Sequence, residues 1–180
     1  MRVMNGLVRE RNWLGEPLVG GYAKSKTMEK VLSITFAAAY HITRQFKIMV
    51  FPTVFIRICG TFAYIPAMFL PWRYTLVVPI IVAFTSVEPI GSTLALTAGI
   101  QAAYFSSRFL KKYRILSLLL ATFVANLTAY GVRVSMGLIP ADVGFTFYML
   151  KTTITAVAIV ILAPMILKIL ESKDIINFKR

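Results

Sequence analysis

The sequence predicts an all-α protein that crosses a membrane several times, and three observations support this. Hydrophobic residues make up 58% of the 180 residues, against roughly 45–50% in a typical soluble protein. They are concentrated between Val31 and Leu170, with short interruptions. Lysine and arginine outnumber aspartate and glutamate by 20 to 7 and lie mostly outside the apolar stretches. A soluble fold would expose these stretches to water, whereas a bilayer accommodates them as helices.

Six apolar segments are candidates for membrane spans. A spanning helix needs about 20 apolar residues, and fewer where neighbouring protein covers part of it. In chain order the segments are Val31–Thr43, Ile48–Leu70, Tyr74–Val87, Gly91–Ser107, Ile115–Val134 and Gly144–Leu170.

The third and fourth segments are separated by a break at residues 87–91. Pro89 disfavours a helical conformation at Glu88, and Gly91 loosens the backbone further. We interpret residues 74–107 as two short helices joined by a turn. The alternative is one tilted span followed by a re-entrant piece.

The distribution of basic residues favours six spans with both termini in the cytoplasm. Fifteen lysines and arginines then lie on the cytoplasmic side, whereas Arg44, Lys47 and Arg133 lie outside. This bias has the sign of the positive-inside rule. The chain then divides into a basic cytoplasmic segment (1–30), a transmembrane domain (31–172) and a short cytoplasmic tail (173–180) in the cell membrane.

The net charge of +13 would indicate nucleic acid in a soluble protein. In a membrane protein it sets topology and attracts anionic lipid headgroups, so we expect contact with the bilayer and none with nucleic acid. The single cysteine, Cys59, allows neither an internal disulfide nor a thiolate metal cluster. His41 has no second ligand nearby in sequence, so we expect no metal site.

Charged residues inside or beside the predicted spans are candidates for ligand contact, because a charge in a bilayer is costly. Arg57 lies within the second span, where it either contacts a ligand or forms a salt bridge inside the bundle. Glu88, at the outer turn, is either a ligand contact or a solvated carboxylate. Lys151, in the outer half of the last span, either contacts a ligand or extends to the membrane interface.

Asn126, Tyr130 and Arg133 are spaced at i, i+4 and i+7, so they share one face of the fifth predicted helix. Such a stripe suits either a pocket or hydrogen bonds between helices. In the six-span topology it ends at the outer surface, where Glu88 and Lys151 are also expected. We therefore expect an outward-open pocket for a small organic molecule, lined by these residues together with Arg57.

Motifs for several common chemistries are missing from the sequence. It contains no Walker-type phosphate loop, no HExxH zinc motif and no Gly-x-Ser-x-Gly elbow. We therefore expect no enzymatic activity and no cofactor. A membrane enzyme acting on lipid or polyprenyl substrates remains the enzymatic alternative.

Small residues give the first predicted helix a flat face, because Ser33 and Ala37 are spaced at i and i+4. Such a face allows another helix to approach closely, either within the bundle or from a partner subunit. The stretch Phe36-Ala-Ala-Ala-Tyr40 and the final apolar stretch from Ala163 to Leu170, together with the size and predicted topology, resemble the S component of energy-coupling-factor vitamin transporters.

The resemblance implies six helices, cytoplasmic termini and an outward-facing pocket for a vitamin or related small molecule. It also implies that separate ATPases supply the energy, and that a transmembrane coupling subunit docks on the alanine-rich face of the first helix. The expected function is thus a substrate-binding subunit of a transporter. The alternative is a structural or assembly subunit of a larger membrane complex without a small-molecule ligand.

Overall fold

Helices make up most of the computed structural model, which describes residues 22–23, 25–46, 48–51, 54–56, 58–86, 88–110 and 113–177. The helices are α1 (Lys26–Gln45), α2 (Cys59–Tyr64), α3 (Trp72–Thr75), α4 (Val77–Thr85), α5 (Pro89–Phe109), α6 (Arg114–Ser135) and α7 (Ala141–Ser172). A 3-10 turn at Pro66–Met68 follows α2. Four short strands complete the described elements: β1 (Tyr22–Ala23), β2 (Ile48–Phe51), β3 (Val54–Ile56) and β4 (Ile176–Asn177). The predicted helical class agrees with this architecture.

Helix α1 has sequence signals at both of its ends. The Ser25 side chain accepts a hydrogen bond from the backbone N–H of Met28 at 3.1 Å, which caps the first turn. Glu29 lies in the first turn and Arg44 in the last, where each charge complements the helix dipole. The helix therefore begins five residues before the predicted first span.

The second predicted span, Ile48–Leu70, does not form a single helix. Strands β2 and β3 form an antiparallel pair, and the helical structure that follows is limited to α2 and the 3-10 turn. The first part of this segment is rich in β-branched and aromatic residues, which favour strands. Pro66 has no backbone N–H to continue the helical hydrogen bonding, so α2 ends just before it.

The break between the third and fourth predicted segments is present. Helix α4 ends at Thr85 and α5 begins at Pro89, where the missing N–H and fixed φ of proline suit a first helical turn. Two helical segments joined by a turn therefore describe residues 74–107. The first of them is itself divided at Leu76, which separates α3 from α4.

Hydrogen bonds between elements show in which direction the helices run relative to one another. Ser33, early in α1, donates to the carbonyl of Tyr74 in α3 at 2.8 Å, whereas Arg44, late in α1, donates to Ser86 after α4. Helix α1 therefore runs in the same direction as α3 and α4. Helices α6 and α7 run in opposite directions to each other, because Arg114 at the start of α6 pairs with Glu171 at the end of α7.

Both ends of the described chain meet at one end of the bundle. Strand β1 pairs antiparallel with β4, with Tyr22 opposite Asn177 and Ala23 opposite Ile176. We call this the terminal end. The opposite end, which we call the cavity end, contains the last turn of α1, the α4–α5 turn, the end of α6 and the start of α7.

Large apolar side chains lie on the outside of this bundle as well as in its core. Many of the large apolar side chains on the long helices are exposed, as Leu120 and Phe123 of α6 and Ile161 and Met165 of α7 illustrate. Small polar side chains such as Ser117 and Thr122 are buried together with the apolar core. Within the described residues, two helices are long and apolar enough to cross a membrane, Arg114–Ser135 and Gly144–Ser172, and only 28% and 22% of their most apolar stretches are buried.

Gly99 allows α5 and α6 to pack closely. A Cβ atom at this position would lie 2.8 Å from the Cβ of Ala125 and 2.8 Å from Cε1 of Tyr64. It would also lie 3.1 Å from the backbone oxygen of Ala121. Because two of these neighbours belong to the interior of α6, the helices would have to separate to admit even one methyl group.

We expect Gly99→Ala to lower the free energy of unfolding by about 1–3 kcal/mol, measured as a thermal midpoint several degrees lower in detergent. Gly131→Ala is the matched control, because a Cβ at Gly131 meets no atom within 4 Å. That change should leave the midpoint unchanged or raise it, since alanine favours helix over glycine. Equal midpoints for Gly99→Ala and the wild type would contradict this close approach.

Candidate functional site

A cavity of about 140 Å³ lies among α1, α2, α5, α6 and α7 towards the cavity end. Aromatic and small residues form part of its wall, including Tyr40, Tyr64 and Tyr148. Its polar side chains come from different elements that the fold brings together. They are Arg44, Glu88, Ser92, Thr122, Asn126, Arg133, Lys151 and Thr155.

Arg133 joins three elements at the rim of this cavity. Its Nε donates to Glu88 Oε2 at 2.9 Å, and its Nη2 donates to the same oxygen. Its Nη1 donates to the hydroxyl of Tyr148 at 2.7 Å. The guanidinium group therefore holds the end of α6 against both the start of α5 and the start of α7.

Tyr148 anchors the α7 side of the site. Its side chain is fully buried, and its ring centre lies 5.7 Å from that of Tyr130 and 5.2 Å from Nζ of Lys151. Tyr130 donates through its hydroxyl to the carbonyl oxygen of Ala141 at 2.6 Å. Tyr130 thus supports Tyr148 from behind, whereas Tyr148 and Lys151 line the cavity itself.

Arg44 enters the site from the last turn of α1. Its Nη2 donates to Ser86 Oγ at 2.7 Å, and Ser86 Oγ in turn donates to Ser92 Oγ at 3.0 Å and accepts from the N–H of Glu88 at 3.3 Å. Its second terminal nitrogen, Nη1, is buried and has no hydrogen-bond partner among the described residues. Arg44 was not among the predicted ligand contacts, although its position at the outer end of α1 was a usable signal.

Four of the six residues predicted to contact a ligand line the same cavity: Glu88, Asn126, Arg133 and Lys151. Tyr130, the fifth, packs directly behind the wall. Arg57, the sixth, lies outside the described residues. The structure therefore brings together residues that are up to 63 positions apart in the chain, but their contact with a ligand stays a prediction.

Ser33 and Ala37, predicted as a possible docking face for a partner, are both buried. The Ser33 hydroxyl is engaged by the carbonyl of Tyr74. The alternative interpretation, packing within the bundle, describes this face of α1. A partner would need a rearrangement of the bundle to reach it.

The lining of the cavity is positively charged. Its described residues carry three cationic groups, Arg44, Arg133 and Lys151, and one carboxylate, Glu88. Glu88 is already hydrogen-bonded to Arg133. Among the described residues, no three histidine, cysteine, aspartate or glutamate side chains come together in a way that could hold a metal ion. The geometry therefore suits recognition of a polar molecule.

No protein-family model, curated protein or solved structure matches the chain.

We expect Glu88→Gln and Arg133→Gln to be energetically coupled in a double-mutant cycle of thermal unfolding. The pair is partly exposed, with 45% of the Glu88 side chain and 36% of that of Arg133 accessible. The coupling energy should therefore be about 0.2–1 kcal/mol. Glu88→Gln combined with Arg114→Gln is the control, because Arg114 lies at the terminal end and the effects of distant sites add. An additive Glu88/Arg133 pair would contradict the expected coupling.

Proposed function

We propose that this chain is a multi-pass membrane protein with six crossings and both termini in the cytoplasm. The crossings are α1, residues 58–71, α3 with α4, α5, α6 and α7. The outward-facing apolar side chains support this, because lipid removes the cost of exposing them to water. The pairing of β1 with β4 also supports it, because termini on one side require an even number of crossings.

The lengths of the four long helices are compatible with this proposal, whereas residues 58–71 and α3 with α4 are shorter than a full span of about 20 residues. Helices α1, α5 and α6 contain 20, 21 and 22 residues, which at about 1.5 Å per residue extend roughly 30–33 Å. The hydrocarbon core of a bilayer is about 30 Å thick. Helix α7, with 32 residues, is long enough to tilt or to extend beyond the bilayer.

The charges of the described residues favour placing the terminal end of the bundle on the cytoplasmic side. Seven basic residues lie near this end, whereas Arg44 and Arg133 lie at the cavity end. An excess of lysine and arginine marks the cytoplasmic side. The seven are Lys26, Lys30, Arg73, Arg108, Arg114, Lys168 and Lys173.

We expect a membrane-impermeant maleimide to label Leu138→Cys but not Lys173→Cys in intact cells. Leu138, between α6 and α7, is exposed at the cavity end, and Lys173 is exposed just after α7 at the terminal end. The wild type measures background labelling, because its cysteine, Cys59, is buried. Labelling of both variants, or of Lys173→Cys alone, would contradict the proposed topology.

We further propose that the protein is the substrate-binding subunit of a transporter for a small organic solute. The observation that carries this proposal is the cavity lined by polar groups from five helices and the α4–α5 turn. Polar and charged groups inside a membrane domain are costly and commonly mark ligand pathways. Glu88 and Arg133 are partly exposed at the rim, so the proposed entry for solute is from outside the cell.

The partners belong to the same proposal. A binding subunit of this kind takes its energy from separate ATPases through a transmembrane coupling subunit, as the resemblance to S components implies. In the conformation described, Ser33 and Ala37 are enclosed by the bundle. The coupling subunit would therefore contact another surface in this conformation.

A structural or assembly subunit is the second candidate, and the contacts of Arg133 favour it. Arg133 is hydrogen-bonded through all three guanidinium nitrogens to side chains of this same chain. Polar residues that are satisfied in this way hold membrane helices together without any ligand. The two candidates differ in whether a small molecule occupies the cavity.

We expect native mass spectrometry of the wild-type protein, purified in detergent from its own cells, to detect a bound small molecule. Ala129→Phe should abolish this binding, because Ala129 lines the cavity and a phenyl ring would fill much of it. Leu127→Phe is the matched control, because Leu127 lies on the exposed face of the same helix. Absence of any bound molecule in a folded wild-type protein would favour the structural subunit.

A further inference from the structure

We infer that the molecule bound in the cavity is a small organic anion whose charged group contacts Arg44. This inference rests on the proposed binding function and adds the chemical class of the ligand. It depends on the hydrogen bonding of Arg44, on the charge of the cavity lining, and on the size and composition of its walls.

The first step is the hydrogen bonding of Arg44. One terminal nitrogen, Nη2, is held by Ser86, which fixes the direction of the guanidinium group. The other, Nη1, is removed from solvent and has no acceptor among the described residues, although the side chain lines the cavity. A buried cationic donor without an acceptor is unfavourable. Nη1 itself has almost no accessible surface, that of the cavity included, so an anion in the cavity supplies the missing acceptor once the guanidinium group turns towards it.

The second step compares Arg44 with Arg133. Arg133 and Glu88 form an ion pair with two hydrogen bonds to one carboxylate oxygen, so their charges largely compensate each other. Arg44, by contrast, is hydrogen-bonded to a neutral hydroxyl. The described lining contains three cationic groups and one carboxylate, which is two more positive than negative charges. That excess favours an anion and disfavours a cation of equal size.

The third step is the size of the cavity and the nature of its walls. A dry cavity of about 150 Å³ in another protein holds one benzene molecule, so a cavity of about 140 Å³ admits one six-membered ring. Apolar wall comes from aromatic rings such as Tyr64 and from small side chains such as Ala125 and Ala129. The expected ligand has a compact, partly apolar body and one anionic group, as in a monocyclic aromatic carboxylate.

Benzoate and benzamide form a matched pair of probes for this inference. They share the same ring and the same number of non-hydrogen atoms, but benzoate is an anion and benzamide is neutral. Thermal unfolding of the purified protein is followed with each probe at millimolar concentration and constant ionic strength. We expect benzoate to raise the thermal midpoint and benzamide to have little effect.

Variants of Arg44 connect this preference to the residue. Arg44→Gln should weaken benzoate binding about tenfold or more, because a hydrogen bond to a charged group is lost. Arg44→Lys should retain a preference for benzoate over benzamide. Arg73→Gln, which removes an exposed arginine near the terminal end, should leave benzoate binding unchanged. If Arg44→Gln does not fold, Lys151→Gln tests the same charge requirement at another position of the lining.

Three results would overturn the inference: equal effects of the two probes, no effect of either, or undiminished benzoate binding in Arg44→Gln. Native mass spectrometry separates its failure from that of the proposed function. A retained molecule that Ala129→Phe removes, combined with equal responses to the probes, leaves the binding subunit in place and rejects the anion. No retained molecule and no response to either probe would reject both.

Discussion

The arrangement of this bundle at its cavity end depends on the contacts of Arg133. The guanidinium group binds Glu88 at the start of α5 and Tyr148 in α7, while Arg133 itself lies near the end of α6. Three consecutive helices thus meet at one planar cation. A guanidinium group suits this role because its nitrogens donate in fixed directions within one plane, which a lysine ammonium group does not provide. The cavity lies directly below this junction, so its rim is set by the same hydrogen bonds.

The close packing of the helices near the cavity follows from the small size and internal hydrogen bonding of the buried threonines. Buried hydroxyl groups such as Thr122, Thr152 and Thr155 donate to the carbonyl four residues earlier in their own helices. They are therefore satisfied without any partner on the facing helix, and they leave small, smooth surfaces between helices. Gly99 extends this surface on α5. In membranes, helix interfaces made of small side chains allow close packing without a hydrophobic driving force between helices. The hydroxyl groups in such an interface can form their hydrogen bonds within their own helix.

Much of this fold could be predicted from the sequence where local signals and length agree. Helices α5, α6 and α7 coincide closely with the predicted segments, because each is a long apolar stretch between turn or charge signals. Residues 48–70 could not be assigned by hydropathy, because an apolar stretch is compatible with helix and strand alike. Residue spacing grouped Asn126 and Arg133 correctly on one face of α6. Residue spacing could not show that Ser33 faces the interior, because a flat helix face can pack either within the bundle or against a partner subunit.

The contacts also change the order in which the cations near the cavity are ranked. Arg133 and Lys151 were predicted ligand contacts from their positions in the sequence, whereas Arg44 was not. Arg133 is engaged by a carboxylate and a phenol, so binding a ligand there would first break existing bonds. Arg44 is hydrogen-bonded to the neutral hydroxyl of Ser86 and keeps a buried nitrogen without an acceptor among the described residues, so an anion binding there would separate no described ion pair. Binding of an anion by Arg44 and the joining of three helices by Arg133 are therefore compatible roles for two arginines that line the same cavity.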